Sequence, residues 1–448
     1  IQNKSKTNRD DRKTLMPKKK KPIFCSHLYT SLSFDQKGQV RVCCNNYEIP
    51  KIDDREINVN DEDFSMKKVF NSDLHLRIRT NLMNGVRDAS CIRCWQTEEN
   101  GAESYRTIWN NSLASGYYKD LMLDTQSEKG YIMYKNDSTK VPMQHIDDPY
   151  VTFLEFSVGN RCNLICRMCN VDNSHLWEEE SRTLFPEVKI PTRKVSVDEK
   201  FLSDKFFKEN FTHIKQVNFL GGEPLLVKEH QKFLEQCVKF GIAENVVLFY
   251  TTNLTANLLK DELKELWKEF RHIYVGMSID GVDKVNEYIR FPSKWKDVNK
   301  SIDIISEWKS EMSMDLQIQA TMQTLNLTDW HNIIDWTYSL GDRGFWKVPF
   351  SNWVSYPNYY DCRNIPKDIK EESIKKIKNS ISKIDRESLD VGEKQWLGIL
   401  ESNLVTVMEN HDQSDSILQF SSITKKLDIS RKQHLSNFIP DLAKVVYK

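Results

Sequence analysis

The stretch Ser157-Val158-Gly159-Asn160-Arg161-Cys162-Asn163-Leu164-Ile165-Cys166-Arg167-Met168-Cys169 closes a β-rich run, Val151–Val158, and packs three thiols into one loop. Three thiolates from one loop can cap three irons of a cubane and leave the fourth iron without a protein ligand. A structural zinc site asks for a fourth nearby donor, and His175 keeps a Cys3His site open. The spacing C-x3-C-x2-C favours iron–sulfur over zinc.

Outward from this loop the pattern turns regular. Five further β-rich runs follow, at Ile214–Leu220, Val246–Thr251, Ile273–Ile279, Leu316–Met322 and Phe345–Phe350. Between most of them lie stripes of apolar residues at helical spacing. Leu226, Phe233, Leu234, Cys237 and Val238 form one, and Leu259, Leu263, Leu266, Trp267 and Phe270 another. Val298, Ile302 and Ile305 make a third, and Ile333, Ile334 and Thr337 a weaker fourth. Strand and helix in alternation imply parallel βαβ units, in an open sheet or a curved barrel. In either, loops at the carboxyl ends of the strands carry the chemistry. Two such loops hold polar groups. Gly221-Gly222-Glu223-Pro224 follows the second run, where two glycines permit a close backbone approach and Glu223 offers a carboxylate. Ser278-Ile279-Asp280-Gly281 follows the fourth, and strand alternation turns Ser278 and Asp280 to one side, where both can bond vicinal hydroxyls.

In this order the three motifs make residues 151–352 resemble the radical S-adenosylmethionine (SAM) core, a partial (β/α)6 TIM-like barrel of the α/β class. The resemblance implies that Cys162, Cys166 and Cys169 hold a [4Fe–4S] cluster whose open iron chelates the amino and carboxylate groups of SAM. It places Gly221, Gly222 and Glu223 at the SAM amino group, with Glu223 as acceptor. Ser278 and Asp280 fall at the ribose, Asn253 at a further polar contact, and Arg290 at the SAM carboxylate or on the surface. Met168 stands where the family often has an aromatic residue against adenine, and a thioether can cover the same face. The implied chemistry is one-electron cleavage of SAM to methionine and a 5′-deoxyadenosyl radical, which takes a hydrogen atom from substrate. An electron donor such as a flavodoxin or ferredoxin is implied as partner.

Upstream, Cys25 and Cys43 are spaced C-x12-G-x4-C around Gly38, and Cys91-Ile92-Arg93-Cys94 follows. The segment Asp35–Val42 reads as a hairpin turning at Gly38. Four thiols so gathered would close a zinc ribbon or fully ligate a second [4Fe–4S] cluster, and on chemistry alone zinc is the better fit. Beside a radical SAM core the preference reverses. The spacing is similar to the first half of the SPASM/twitch auxiliary-cluster domain, and Cys91–Cys94 with Trp95, Glu98, Glu99, Gly101, Ser104 and Arg106 looks like the twitch segment. Here it precedes the barrel, whereas the auxiliary domain usually follows it. Cys44, beside Cys43, competes for the ligand position, with Cys43 favoured on spacing. Cys237 and Cys362 read as structural thiols.

The division expected is a basic tail over 1–22, an auxiliary unit over 23–150, the core over 151–360 and a helical region over 361–448. In the last, Ile369, Ile374, Ile377, Ile381 and Ile384 form an amphipathic helix opened by Pro366, a second spans Trp396–Met408, and nothing suggests catalysis. The chain opens on Ile1, with Met16 before the tract Lys18–Lys21, and reads as a fragment or as carrying upstream residues. Lys+Arg and Asp+Glu both number 64 among 448 residues, so neither a basic nucleic-acid binder nor an acidic tail protein is expected. Ten cysteines are too few for a disulfide scaffold, and no apolar run of about 18 residues signals a membrane helix. A cytoplasmic radical SAM oxidoreductase acting on a peptide or protein side chain is the leading expectation. A small-molecule alcohol or sugar dehydrogenase and a non-catalytic zinc-ribbon interaction protein are the alternatives.

Overall fold

The computed structural model describes residues 23–99, 103–114, 146, 149, 151–190, 196–354, 356–408 and 414–447. The tract Lys18–Lys21 and Gly101 lie outside them. Ten strands are described: β1 Ser31–Phe34, β2 Val40–Arg41, β3 Lys51–Ile52, β4 Arg55–Glu56, β5 Phe153–Ser157, β6 Gln216–Leu220, β7 Val247–Thr252, β8 His272–Ser278, β9 Met314–Met322 and β10 Phe350–Trp353. Eight of them form one sheet in the order β10-β9-β8-β7-β6-β5-β1-β2, and β3 pairs with β4 apart from it. From β5 to β10 every neighbour pair is parallel, as the βαβ pattern predicts. This is the parallel α/β arrangement that the resemblance implies. Five of the six expected strands fall in place. The sixth lies later than its apolar run, because Phe345 makes only a single bridge to Leu316 before pairing resumes at Phe350.

The burial of each strand follows its neighbours. β5 is buried at all five positions, the mark of a parallel strand covered on both faces. β9 alternates buried and half-buried residues along its nine, so only one of its faces is sealed. The covering helices use the stripes expected of them: Lys228–Lys239 buries His230, Phe233, Leu234 and Cys237, and Trp295–Lys309 buries Val298, Ile302 and Ile305. Cys362 is fully buried in a second apolar core that joins the helix Lys367–Ser382 to the sheet.

The expected break between an auxiliary unit and a core is not a break in the sheet. β1 lies parallel to β5, Ser31 opposite Phe153 through Phe34 opposite Phe156, and β2 returns antiparallel after the turn at Gly38, which takes φ +79°. One apolar core runs from Leu28 through the barrel to Phe345. The hairpin was legible, but its docking on β5 was not, since four buried residues, Ser31–Phe34, show no alternation to read. No described helix is long and apolar enough to cross a membrane.

Three buried histidines give the fold a pH signature. His27 Nδ1 bonds Ser31 Oγ at 2.8 Å, His75 Nδ1 bonds Ser72 Oγ at 2.9 Å and His230 Nε2 bonds Tyr250 Oη at 2.7 Å, and burial pushes all three imidazoles down from 6.5 to about 3. An unfolded chain therefore takes up protons that the folded one refuses, so this stability is whole above pH about 6.5 and is lost as pH falls toward 3. Between pH about 7.5 and about 5.5 each histidine should cost about 1.4 kcal/mol. Urea midpoints across that range should fall in the wild-type chain, and His230→Gln should remove roughly a third of that acid loss. An acid slope unaltered by His230→Gln would show that His230 is not the cause.

Candidate active site

The thiol loop leaves the carboxyl end of β5 and is laced to its surroundings by main-chain bonds. Ile165 N donates to Phe291 O and Arg167 N to Ile289 O, both at 2.8 Å, so the loop runs alongside the segment after β8. Ser174 Oγ donates to Leu164 O at 2.6 Å and Trp177 Nε1 to Cys166 O at 3.1 Å. His175 Nδ1 accepts from Cys162 N at 3.2 Å and so helps set the first turn of the loop.

The two glycines after β6 have a packing role of their own. Gly222 N donates to Gly159 O at 2.8 Å and Glu223 N to Arg161 O at 2.7 Å. A Cβ on Gly221, at φ +112°, would stand 2.7 Å from Gly159 O, and one on Gly222 would collide with the Arg161 carbonyl. What comes close to these glycines is the thiol loop's own backbone. Gly222→Ala should therefore displace the loop and lower the iron retained after anaerobic reconstitution, with folding of the N-terminal unit unchanged; full iron content would count against this packing.

Glu223 is 0 % exposed. Its Oε1 accepts from Thr252 Oγ1 at 2.6 Å and Leu225 N at 3.1 Å, and its Oε2 from Asn253 N at 2.7 Å. Burial raises its carboxyl to about 7 against these bonds. The carboxylate expected to accept from a ligand's amino group braces the ends of β6 and β7. Asn253, at the end of β7, completes the link: its Nδ2 donates to Asn163 Oδ1 at 2.8 Å and lies 3.9 Å from Cys162 Sγ.

Asp280 and Arg290, assigned from the sequence to separate parts of a ligand, meet each other. Arg290 Nη2 stands 2.7 Å from Asp280 Oδ2. Asp280 is fully buried and also accepts from Thr321 N, while Arg290 Nη1 lies 3.9 Å from Cys166 Sγ. Arg290 is thus neither free nor a surface residue. Ser278, half-buried at the end of β8, sits beside Gln319 of β9. Met168 packs, half-buried, against the apolar core shared with Tyr288, Ile289 and Phe420.

The helical C-terminal region reaches this loop, contrary to the expectation that it stands apart from the chemistry. Arg167 has no exposed side-chain surface, and its Nη2 donates to Asp428 Oδ1 at 2.6 Å, on the helix Ser414–Arg431. Arg431 of that helix pairs with Glu180 at 2.7 Å and stacks on Trp177. No local pattern announces a bond across 261 residues.

The upstream thiols also converge. Cys25, Cys43, Cys91 and Cys94 line one small pocket with Leu28, Val42, Leu82 and Trp95, whereas Cys44 faces away, its N–H bonded to Glu155 Oε2 at 3.0 Å. The residues that carried the twitch likeness lock this pocket. Arg106 forks onto Glu98 Oε1 and Oε2 at 3.0 and 2.7 Å and donates to Phe24 O at 2.6 Å, Ser104 Oγ donates to Glu98, and Trp95 Nε1 donates to Asp88 O. Glu99 instead pairs with Arg87 on the outside.

Both thiol sets suit anionic ligation only with a cationic group present. Burial, then the neighbouring Cys166, holds the Cys162 thiol up at about 12; burial, then Cys91 and Cys94, does the same to Cys25. Among the described residues no three His, Cys, Asp or Glu side chains gather closely enough for a single metal ion. A cubane spreads its thiolates over separate irons, and the N–H donors near Cys162 and Cys166 suit its sulfurs. The residues fit a [4Fe–4S] cluster in the barrel loop.

Residues 156–313 match the family model of the radical SAM superfamily, which uses a [4Fe–4S] cluster and SAM. The chain is 26% identical over 189 residues to a GTP 3',8-cyclase of Sulfurimonas denitrificans, covering 42% of this chain and 51% of that protein. It is 26% identical over 153 residues to a GTP 3',8-cyclase of Campylobacter lari, covering 34% and 41%. The chain thus spans about half, or less, of the length of these curated relatives. Among solved structures, native anSMEcpe with bound AdoMet aligns at TM-score 0.36 and 17% identity over 51% of this chain and 59% of that one. Streptococcus suis SuiB aligns at TM-score 0.34 and 14% identity over 68% and 69%. The family match covers the stretch that holds the three-thiol loop and the strands β6, β7 and β8.

Proposed function

We propose that the chain is a radical SAM oxidoreductase that abstracts a hydrogen atom from a peptide or protein side chain, with a second iron–sulfur cluster held by Cys25, Cys43, Cys91 and Cys94. The observation that carries the radical reading is the loop itself: three thiols at the carboxyl end of β5, with Asn253 Nδ2 and Arg290 Nη1 each 3.9 Å from a sulfur. A [4Fe–4S] cluster bound there supplies the electron that cleaves SAM, drawn from an external flavodoxin or ferredoxin. The protein's own work is positional. Gly221 and Gly222 let the loop cross β6's exit, Glu223 braces that exit to β7, and the Asp280–Arg290 pair places a cation beside Cys166. Ser278 and the main chain of Gly221–Glu223 are the polar groups proposed for SAM.

The four upstream thiols, all from the protein, favour an electron-transfer role for the second cluster over direct substrate binding. The names of the curated relatives suggest a second reading, a nucleoside triphosphate substrate. Anaerobic reconstitution tests the proposal. About eight iron per chain and 5′-deoxyadenosine after dithionite reduction are expected. Stoichiometric zinc with no 5′-deoxyadenosine would instead identify a non-catalytic interaction protein.

A further inference from the structure

Between the two thiol sets lies a cavity of about 420 Å³, reaching from Cys43 and Cys44 across the ends of β1 and β5 to Asn170, next to Cys169. That volume lies within the range of small-ligand sites. Its lining carries two closed ion pairs. Lys37 Nζ stands 2.9 Å from Asp172 Oδ1, and Arg41 Nη2 stands 2.9 Å from Asp35 Oδ2. The third carboxylate of the lining, Glu155, differs from those two. It is the one charged residue of β5 and is only 3 % exposed. Its Oε2 accepts from Ser33 Oγ at 2.7 Å and Cys44 N at 3.0 Å, and its Oε1 from Tyr105 Oη at 2.9 Å. All three donors are neutral, and among the described residues no lysine or arginine pairs with Glu155.

Neutral donors fill a carboxylate's lone pairs and fix its orientation, but they leave its charge in place. A buried charge is ordinarily met by an opposite one, because taking it out of water is costly. Here the fold supplies the anion and the cavity but no cation. A divalent metal ion does not fill the gap. Mg²⁺ and Ca²⁺ take about six or more oxygen ligands, whereas Asp35 and Asp172 are held by Arg41 and Lys37. A cluster ligated through Cys43 would add negative charge to the same wall. An organic cation with N–H donors brings both the missing charge and hydrogen bonds to the carboxylate. We propose that Glu155 receives the ammonium or guanidinium group of a cationic substrate. This rests on the radical reading of the preceding section and adds the charge of the group bound there, whether the substrate is large or small. A triphosphate would set its own charge against Glu155.

The test uses the anaerobically reconstituted chain and saturation-transfer NMR with butylguanidinium, butylammonium and butylurea, the uncharged isostere of the first. At least one cation should bind about tenfold more tightly than butylurea, one charge-assisted hydrogen bond's worth, and the tighter of the two names the group. Glu155→Gln, which keeps the shape and removes the charge, should erase that preference, and Glu155→Asp, which keeps the charge, should retain part of it. The comparison of probes in the wild-type chain needs no variant, so it stays decisive should Glu155→Gln fail to fold: equal binding of all three overturns the proposal. A preference that Glu155→Gln leaves intact overturns it too. So does one that disappears when SAM is added, which would give the cavity to the cofactor. In the same samples 5′-deoxyadenosine is measured after dithionite reduction. If it forms while no cation is preferred, only the cavity assignment falls; if it does not form, the radical reading has failed.

Discussion

Replacing Cys162, Cys166 and Cys169 together by alanine should reduce SAM cleavage to background and remove about four of about eight irons per chain. The expectation rests on two thiol sets built from different parts of the fold. The barrel set occupies one loop after β5, whereas the upstream set lines its own pocket behind Trp95 and Leu28. The locks differ as well: Arg106–Glu98 and Ser104–Glu98 hold the upstream pocket, and none of these touches the barrel loop. Conversely, Cys91→Ala with Cys94→Ala should remove the other four irons and leave reductive cleavage of SAM in place, with turnover of substrate lost if the second cluster carries electrons. Iron analysis and 5′-deoxyadenosine formation read both variants. Loss of all iron from the triple variant, with its circular dichroism intact, would show that the sites are not independent and would defeat the two-cluster proposal.

How far such sites can be read from sequence depends on the range of the interactions that build them. The β5 loop, the Gly-Gly turn and the strand–helix alternation are local patterns, and the structure places them as read. The roles of particular polar groups are not local. Asp280 and Arg290 each look available in sequence, yet ten residues of chain fold back so that they neutralise each other. Glu223 looks like an open carboxylate, but Thr252 and Asn253 arrive from the next strand and occupy it. The choice between Cys43 and Cys44 likewise waits on Glu155, more than a hundred residues away, which holds the backbone of Cys44 and lets Cys43 turn to the pocket. Satisfaction of buried polar groups is a tertiary property, and a buried carboxylate in a functional motif can serve the scaffold.

Asp428→Asn should loosen the barrel loop from a distance. Asp428 is buried and accepts four bonds: Arg167 Nη2 at 2.6 Å and Tyr288 Oη at 2.7 Å on Oδ1, Tyr447 Oη at 2.6 Å and Leu435 N at 2.9 Å on Oδ2. Arg167, between Cys166 and Cys169, lies 3.6 Å above the Tyr288 ring and has Asp428 as its carboxylate partner. The amide keeps the shape, removes the charge and turns one acceptor toward donors, stranding a buried guanidinium at a cost of about 3–5 kcal/mol. That cost falls on the contact between the helix Ser414–Arg431 and the loop, so the expected results are local. Hydrogen exchange should rise over residues 414–447, and a chelator should strip the barrel iron faster while the upstream iron leaves at its wild-type rate. Arg167→Met combined with Asp428→Leu should not restore stability, because Tyr288 Oη, Tyr447 Oη and Leu435 N would still lose the acceptor that Asp428 gives them. Equal destabilisation of both thiol sites by Asp428→Asn would mean a global effect, and the helix would then be an appendage after all.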